Sequence, residues 1–557
     1  MIPREARNVI RELEAAGYEA WCVGGCVRDA LLGRKPKDWD VTTSALPEQV
    51  MELFGRRAIP RGLKHGTVWV RSGADGVDVT TFRCDGEYED HRRPASVSFT
   101  DSLDEDLWRR DLTVNAIAFN MKGELRDPFG GREDLERRLL RCVGEPDRRF
   151  QEDALRMMRL LRFSAVLGFD MDPEAEAAVH RNRELLREIA IERIELEMLG
   201  LLAGQDAAEI LRRFPDVIAV FWPEIREMIG FEQHNVHHCY DVWEHTLHAL
   251  DAAEQLDIPC PILSAGLSRA GRRAGPGGGS AQDSQLGLDG KKPKRPAPWD
   301  KTEERTVLCC AALLHDIGKP RCFTLDESGG GHFLGHWSAG RDMADEMLTR
   351  LRTPRLFRER VVRLVEQHER HIPKTEKEVR RLLGLFGEAD LRLLLILKRA
   401  DNLAQSPDYR ERQRELDQAE RVLDTLLRQG SCFTLKQLAV NGRDLISMGL
   451  KGPDIGAVLE RLLGCVLDGE LPNERRALLK ASSKLARAYR EGTDPDAVSL
   501  AVPAGGNTGA ASSGGTGAAQ KKRKKRRRKK KKLQEPLTQE PQTPKTPEQE
   551  PQEQQDP

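Results

Sequence analysis

The sequence predicts an α/β head followed by a mostly α-helical, multidomain body. Up to about residue 140, short β-branched runs (EAWCVGG, WDVTT, HGTVWVRS, VDVTTFR, AIAFNM) alternate with helical stretches. From about residue 146 apolar side chains recur at three- and four-residue spacing, as in FQEDALRMMRLLRFSAVLGF and ERIELEMLGLLAG. The 557 residues, 39% hydrophobic and 32% charged, suffice for several domains with sizeable cores. In order, the pattern gives a head over 1–140, a helical neck over 141–235, a helical body over 236–405 and a helical tail over 406–492. Residues 266–300, rich in Gly, Pro, Ser and Lys, cannot build a core and read as a surface insertion in the body. Residues 493–557 are low-complexity and read as disordered by composition.

The formal net charge of zero hides an asymmetry: residues 521–532 are all Lys or Arg, and 76 basic against 83 acidic residues precede them. The run KKRKKRRRKKKK suits nonspecific RNA contact through counterion release, and equally a solvated extension. The run LCCAALL at 308–314 is far too short to span a membrane, for which about 18 apolar residues are needed. The N-terminus reads as a charged amphipathic helix without a secretory apolar region. Eleven cysteines lack a CxxC pair, and several lie in apolar runs. These features predict a cytoplasmic protein with no membrane association.

The densest chemistry lies in VGGCVRDALLGRKPKDWDVTT, residues 23–43. Gly24 and Gly25 end a strand-like run and open a helix, where bare amides suit a triphosphate, and Arg28 follows one turn later. Asp38 and Asp40 flank Trp39, so period-two alternation sets both carboxylates on one face. Asp78 in VDVTTF is the third acid, its apolar neighbours pointing the opposite way. Such a trio fits phosphoryl transfer assisted by two Mg²⁺ ions.

With GGCVRDALLGRKPKDWD, RRDLTVNA at 109–116, DPFGGREDL at 127–135 and EDALRMMR at 152–159, the chain resembles the class II CCA-adding tRNA nucleotidyltransferases. The bacterial poly(A) polymerases are close relatives. The resemblance implies a polymerase-beta-like nucleotidyltransferase head, with Asp38 and Asp40 binding Mg²⁺ and Gly25, Arg28 and Arg110 contacting nucleotide. It implies that CTP and ATP are the substrates and tRNA the acceptor. GLKHGTVWV at 62–70 resembles the CCA-adding form of its strand, and YEDHRRPASVSF at 88–99 resembles the loop of enzymes that add the terminal A. Poly(A) synthesis stands as the alternative within the class.

Asp153 and Arg156 are three apart, so on a helix they would project from one face. A carboxylate accepting from an exocyclic amino group and a guanidinium donating to a ring nitrogen match cytosine and adenine, and mismatch guanine and uracil. The resemblance makes this pair the protein template, with Arg159 and Arg162 as further nucleotide-binding arginines.

A second constellation runs through VWEHTLHAL, LLHDIGKP, GHFLGHWSAG, VEQHER and KRADNLAQ. His245, His315, Asp316 and Asp401 have the residue types of a divalent metal site, with His336 and His368 as candidates for a second ion of unidentified metal. LLHDIGKP resembles the HD phosphohydrolase superfamily. Two readings stand: a metal-dependent phosphohydrolase, even one beside a head reduced to RNA binding, or a scaffold that binds metal and turns nothing over. His237 and His238 read as surface residues. Residues 440–463 pair two helical patterns through GLKGPDIG, read as a phosphate-facing hairpin or a plain connection.

Overall fold

The computed structural model describes residues 2–73, 75–86, 97–261 and 300–500. The expected insertion at 266–299, residues 88–96 of the loop, and the tail with its basic run at 521–532 lie outside the described residues.

The head is built on a seven-stranded sheet. Its strands are β1 (Ala20–Val23), β2 (Asp40–Thr43), β3 (Ala58–Gly62), β4 (Thr67–Ser72), β5 (Asp75–Thr81), β8 (Ala118–Phe119) and β9 (Leu125–Arg126), in the order β3-β4-β5-β2-β1-β8-β9. Two further strands, β6 (Arg83–Asp85) and β7 (Val97–Phe99), pair separately. Within the seven-stranded sheet β2 and β5 run parallel, and their register sets Asp40 opposite Asp78. Val77 and Val79 are buried on one face of β5, while Asp78 lies on the other. The helix Arg4–Ala15 closes the apolar face with Ala6, Val9, Ile10 and Leu13, at the spacing of one helical stripe.

In the neck, the helix Leu155–Leu167 packs against Ile191–Leu202. The body is formed by the helices Val242–Gln255, Lys301–Leu314, His336–Arg350, Arg355–Gln367 and Glu376–Ala404, the last kinked at Gly387. The helix Arg412–Arg428 buries Leu416, Ala419, Leu423 and Leu426 in the same core. Residues 432–500 have an apolar core of their own, built on the helices Pro453–Leu467 and Arg475–Glu491. The segment expected as tail thus contributes to two apolar clusters, its first helix to the larger one and residues 432–500 to the smaller. Among the described residues no helix is long and apolar enough to cross a membrane.

One buried carboxyl ties neck to body. Glu254 Oε1 accepts from the amide of Ala208 at 3.0 Å, at the start of the helix Ala207–Arg213, while its Oε2 is buried without a hydrogen-bond partner. Burial pushes the Glu254 carboxyl up to about 8, with Asp251 and Asp206 adding to the rise. Its folded value lies above its unfolded one, so the native state holds the extra proton. The ionised form costs stability progressively as pH rises from about 4.5 to about 8. Glu254→Gln is expected to match the parent chain below about pH 4 and to exceed it by about 5 kcal/mol well above pH 8. Thermal unfolding at the two pH values measures this, and an unchanged difference would refute the assignment.

Candidate functional site

At the head, Asp40 begins β2 and Asp38 lies in the loop just before it, not within a strand as the alternation predicts. The three acids nonetheless act on one another. Asp40 is open to solvent at the cleft surface, yet desolvation, Asp38 and Asp78 push its carboxyl up to about 6, with Arg110 opposing them. Asp78 Oδ1 is buried without a hydrogen-bond partner. Crowded carboxylates and an orphaned oxygen fit a divalent cation, which removes both costs at once.

The basic side of the cleft is held from below. Arg110 donates to Asp106 Oδ2 at 3.1 Å, and Arg109 to Asp106 Oδ1 at 2.7 Å; Thr42 of β2 reaches the same carboxylate at 3.3 Å. Asp106 is fully buried, and although burial opposes it, the two arginines hold its carboxyl below the ordinary range. Gly24 has φ +81°, and a Cβ there would approach the Arg110 guanidinium to 3.2 Å, so the position favours glycine on two counts. Arg28 donates to Asn115 Oδ1 at 2.7 Å and to its neighbour Asp29. Sequence reasoning did not single out Asp106, although its four-residue spacing from Arg110 is a helical ion-pair signal.

The single helix expected to carry Asp153 and Arg156 on one face is broken at Asp153. Asp153 is extended (φ −141°, ψ 103°), ends the helix Pro146–Glu152, and accepts from the amide of Leu155 at 3.2 Å as the next helix begins. A short polar side chain that captures a nearby amide breaks the helix that the spacing assumes. The two side chains therefore do not project from one helical face. Asp153 is paired with Arg193 at 2.8 Å. Arg156 donates to Glu152 at 2.6 Å and to the carbonyl of Arg109 at 2.9 Å. Arg159 donates to Asp111 at 2.7 Å, and Arg162 is bonded to Glu197. The guanidiniums of Arg28, Arg159 and Arg162 all lie over the Phe163 ring, at 4.9, 5.3 and 4.2 Å. Arg193 and Glu197 were missed because their roles depend on contacts between separate elements, whereas Glu152, four residues from Arg156, carried a local spacing signal that went unread.

The second cluster is assembled in the body. Asp316 stands at its centre. Its Oδ2 lies 3.3 Å from His245 Nε2 and 3.1 Å from His315 Nε2, while its Oδ1 lies 3.4 Å from His336 Nε2 and 3.7 Å from His368 Nε2. Asp401 Oδ1 lies 3.1 Å from His245 Nε2. The other ring nitrogen of each histidine points at a backbone carbonyl. Nδ1 donates to Ala404 at 3.4 Å, Ala312 at 2.7 Å, Phe333 at 2.8 Å and Val365 at 2.6 Å, for His245, His315, His336 and His368 in turn. These bonds fix the rings so that four Nε2 atoms converge, the arrangement that orients imidazoles on a metal. His245 Nε2, His315 Nε2 and both oxygens of Asp316 are buried without bonds of hydrogen-bond geometry, despite their close ion-pair contacts. Two groups of donors sharing Asp316 thus fit a pair of divalent ions.

Protons and an ammonium also balance the acids of the cluster. Burial opposes it, but Asp316 and Asp401 raise His315 to about 9. Burial and the charge of His315 push His368 down to about 3. Lys319 Nζ lies 2.7 Å from Asp316 Oδ2 and donates to Gln233 at 2.9 Å. Gly318 lets the loop pass: a Cβ there would collide with the carbonyl of His336 and the amide of Gly340. His238 is corrected from a surface residue. It is half-buried, its ring 4.5 Å from that of His245 and edge-on, and its Nδ1 has no hydrogen-bond partner. His237 is exposed and packs on Tyr409. Glu369 was also missed; its Oε1 lies 3.8 Å from His368 Nε2 and 3.9 Å from His336 Nε2.

Comparison with known proteins places names beside this geometry. Residues 20–141 match the poly A polymerase head domain, 285–406 match the HD domain, and 168–216 match a probable RNA and SrmB-binding site of polymerase A. The CCA-adding enzyme of Geobacillus thermodenitrificans is 54% identical over 208 residues, which are 37% of this chain and 51% of that protein. The chain thus spans about half the length of several such relatives. The crystal structure of the Bacillus stearothermophilus CCA-adding enzyme in complex with CTP covers 88% of this chain with all of its own, at 28% identity and a TM-score of 0.56. With the CCA-adding enzyme of Lactobacillus delbrueckii subsp. bulgaricus the identity is 39% over 290 residues, 47% of this chain and 73% of that protein. A chain that shares this head, and this much of a relative's length, belongs to the CCA-adding enzyme family.

Proposed function

We propose that the chain adds CMP, CMP and then AMP, from CTP and ATP, to the 3′ end of tRNA without a nucleic-acid template, releasing pyrophosphate at each step. The observation that carries this reading is the register of β2 and β5, which sets Asp40 opposite Asp78 beside the Gly24–Gly25 turn and Arg110. Asp38, Asp40 and Asp78 would hold Mg²⁺. An ion bound there would lower the pKa of the attacking 3′-hydroxyl and neutralise charge on the departing pyrophosphate. The Gly24 amide donates to the carbonyl of Ile117 at 3.3 Å, so the amide of Gly25 is the one that receives a phosphate oxygen, and Arg110, steadied by Asp106, adds positive charge. Asp153 accepts from the amino group of cytosine or adenine and Arg156 donates to the ring nitrogen, each side chain steadied by Arg193 and Glu152 respectively. Residues 1–140 serve as the head, 141–235 as the base-selecting neck, 236–405 as the body and 406–492 as the tail.

The test is incubation of the chain with Mg²⁺ and a tRNA lacking its CCA end, with CTP alone, ATP alone or both, followed by sequencing of the 3′ ends. Two added C residues with CTP, and a stop after a single A with both, are expected. Long A tracts would make the chain a poly(A) polymerase, and no addition would overturn the reading.

A second reading is carried by the convergence of four Nε2 atoms on Asp316. The body cluster binds two divalent ions and hydrolyses phosphate esters, an activity separate from nucleotide addition.

A further inference from the structure

The Phe163 ring is where the head meets the neck. It lies on the helix Leu155–Leu167 and is buried, and the guanidinium carbons of three arginines lie over it: Arg162 at 4.2 Å, Arg28 at 4.9 Å and Arg159 at 5.3 Å from the ring centre. All three fall within the reach of a cation–π attraction, about 6 Å. Arg159 and Arg162 belong to the same helix as the ring, whereas Arg28 comes from the head helix Gly25–Leu31. The polar bonds shown for Arg28 stay in the head: it donates to Asn115 Oδ1 at 2.7 Å and to Asp29 Oδ1 at 2.7 Å. Its guanidinium stands beside the Gly25 turn, where a Cβ would lie 3.6 Å from Nη2. Acids hold the other two at their edges, since Arg159 donates to Asp111 at 2.7 Å and Arg162 to Glu197. The helix Ile191–Leu202 leaves room for Arg162 at Gly200, whose Cβ would come 2.4 Å from Arg162 Cδ. Among the contacts shown, the ring is the one through which Arg28 meets the neck directly.

We propose that Phe163 is a positioning residue for nucleotide addition: its ring fixes the head arginine Arg28 against the neck arginines Arg159 and Arg162, and so sets the spacing of the cationic wall that receives the triphosphate. This rests on the reading of the chain as one that adds nucleotides from CTP and ATP. A ring face suits the task in a way that an acid does not. A carboxylate set among the three guanidiniums would attract them but cancel charge that a phosphate needs. The aromatic quadrupole attracts a cation and leaves its charge in place. It also offsets the repulsion of like charges gathered at one spot, which an aliphatic side chain of similar volume cannot do. Asp153 and Arg156 are steadied by other partners, Arg193 and Glu152. Phe163 therefore acts on the affinity for the triphosphate that CTP and ATP share, and not on the choice between the two bases.

The test uses the full chain with Mg²⁺. The dissociation constants of CTP and of ATP are measured by titration calorimetry for chains in which Phe163 is replaced by phenylalanines carrying successively more ring fluorines, which keep the shape of the ring and progressively cancel its quadrupole. Affinity is expected to fall stepwise, reaching about fivefold or more for the fully fluorinated ring, and by the same factor for both nucleotides. Phe163→Leu should lose at least as much, and Phe163→Tyr, which keeps the ring face, should stay within about twofold of the parent. Circular dichroism checks that each chain is folded. A role in packing alone would leave the fluorinated chains at the parental affinity. Unchanged affinity across that series would therefore overturn the proposal, even if Phe163→Leu binds weakly, and so would a loss confined to CTP or to ATP. A flat series in a parent that binds both nucleotides strikes only the role of the ring, whereas a parent that binds neither would overturn the addition reading and the proposal with it.

Discussion

Replacement of Asp38 and Asp40 by Asn is expected to lower nucleotide addition to tRNA by at least about a thousandfold, while leaving the chain folded. The side chains keep their size, so the sheet loses no packing; what disappears is the negative charge that a divalent ion needs. The same charge is costly without the ion. Asp40 is raised to about 6 by desolvation and by Asp38 and Asp78, so its ionised form is a burden on the metal-free protein at neutral pH. The metal-free melting temperature of the variant at pH 7.5 should therefore rise, not fall. Loss of addition with raised metal-free stability separates a catalytic from a structural role, because a residue that merely supported β2 would lower both. Single-turnover addition and differential scanning calorimetry on the same preparation measure the two effects. Addition at the parental rate would remove the head from the proposed mechanism.

How far this could be read in advance depended on the kind of contact. Asp78 opposite Asp40 follows from alternation on β5, where Val77 and Val79 must face the core, and period two is a local property. The body histidines were legible because LLHDIGKP fixes one anchor and the others carry matching side-chain chemistry. Asp153 and Arg156 failed as a helical pair for an equally local reason: the Asp153 carboxylate takes the amide of Leu155, and that competes with helix continuation. Arg193 was beyond reach, because a distant helix delivers it to Asp153 and nothing in the spacing around it announces the contact. Glu369, directly after His368 in VEQHER, was adjacent to the site in sequence and went unread.

The body cluster offers the other large effect, because its central residue is shared. Asp316 presents Oδ2 to His245 and His315 and Oδ1 to His336 and His368, so one substitution strikes both halves. Asp316→Asn is expected to reduce bound Mn²⁺ from two ions per chain to none, whereas His336→Ala should remove one ion and leave that held by His245, His315 and Asp401. Asn is preferred to Ala at 316 because the buried ammonium of Lys319 lies 2.7 Å from Oδ2, and complete truncation would strand that charge at a cost of about 3–5 kcal/mol. An amide keeps an oxygen for Lys319 while losing the anion that draws a divalent ion. Metal content by mass spectrometry after dialysis reads the stoichiometry directly. Addition to tRNA by either variant should stay within about twofold of the parent, since Asp38, Asp40 and Asp78 belong to a separate sheet and share no ligand with the cluster. Equal loss of metal in both variants would contradict Asp316 as the bridge. Loss of addition in a folded Asp316→Asn chain would mean that the body cluster serves the head.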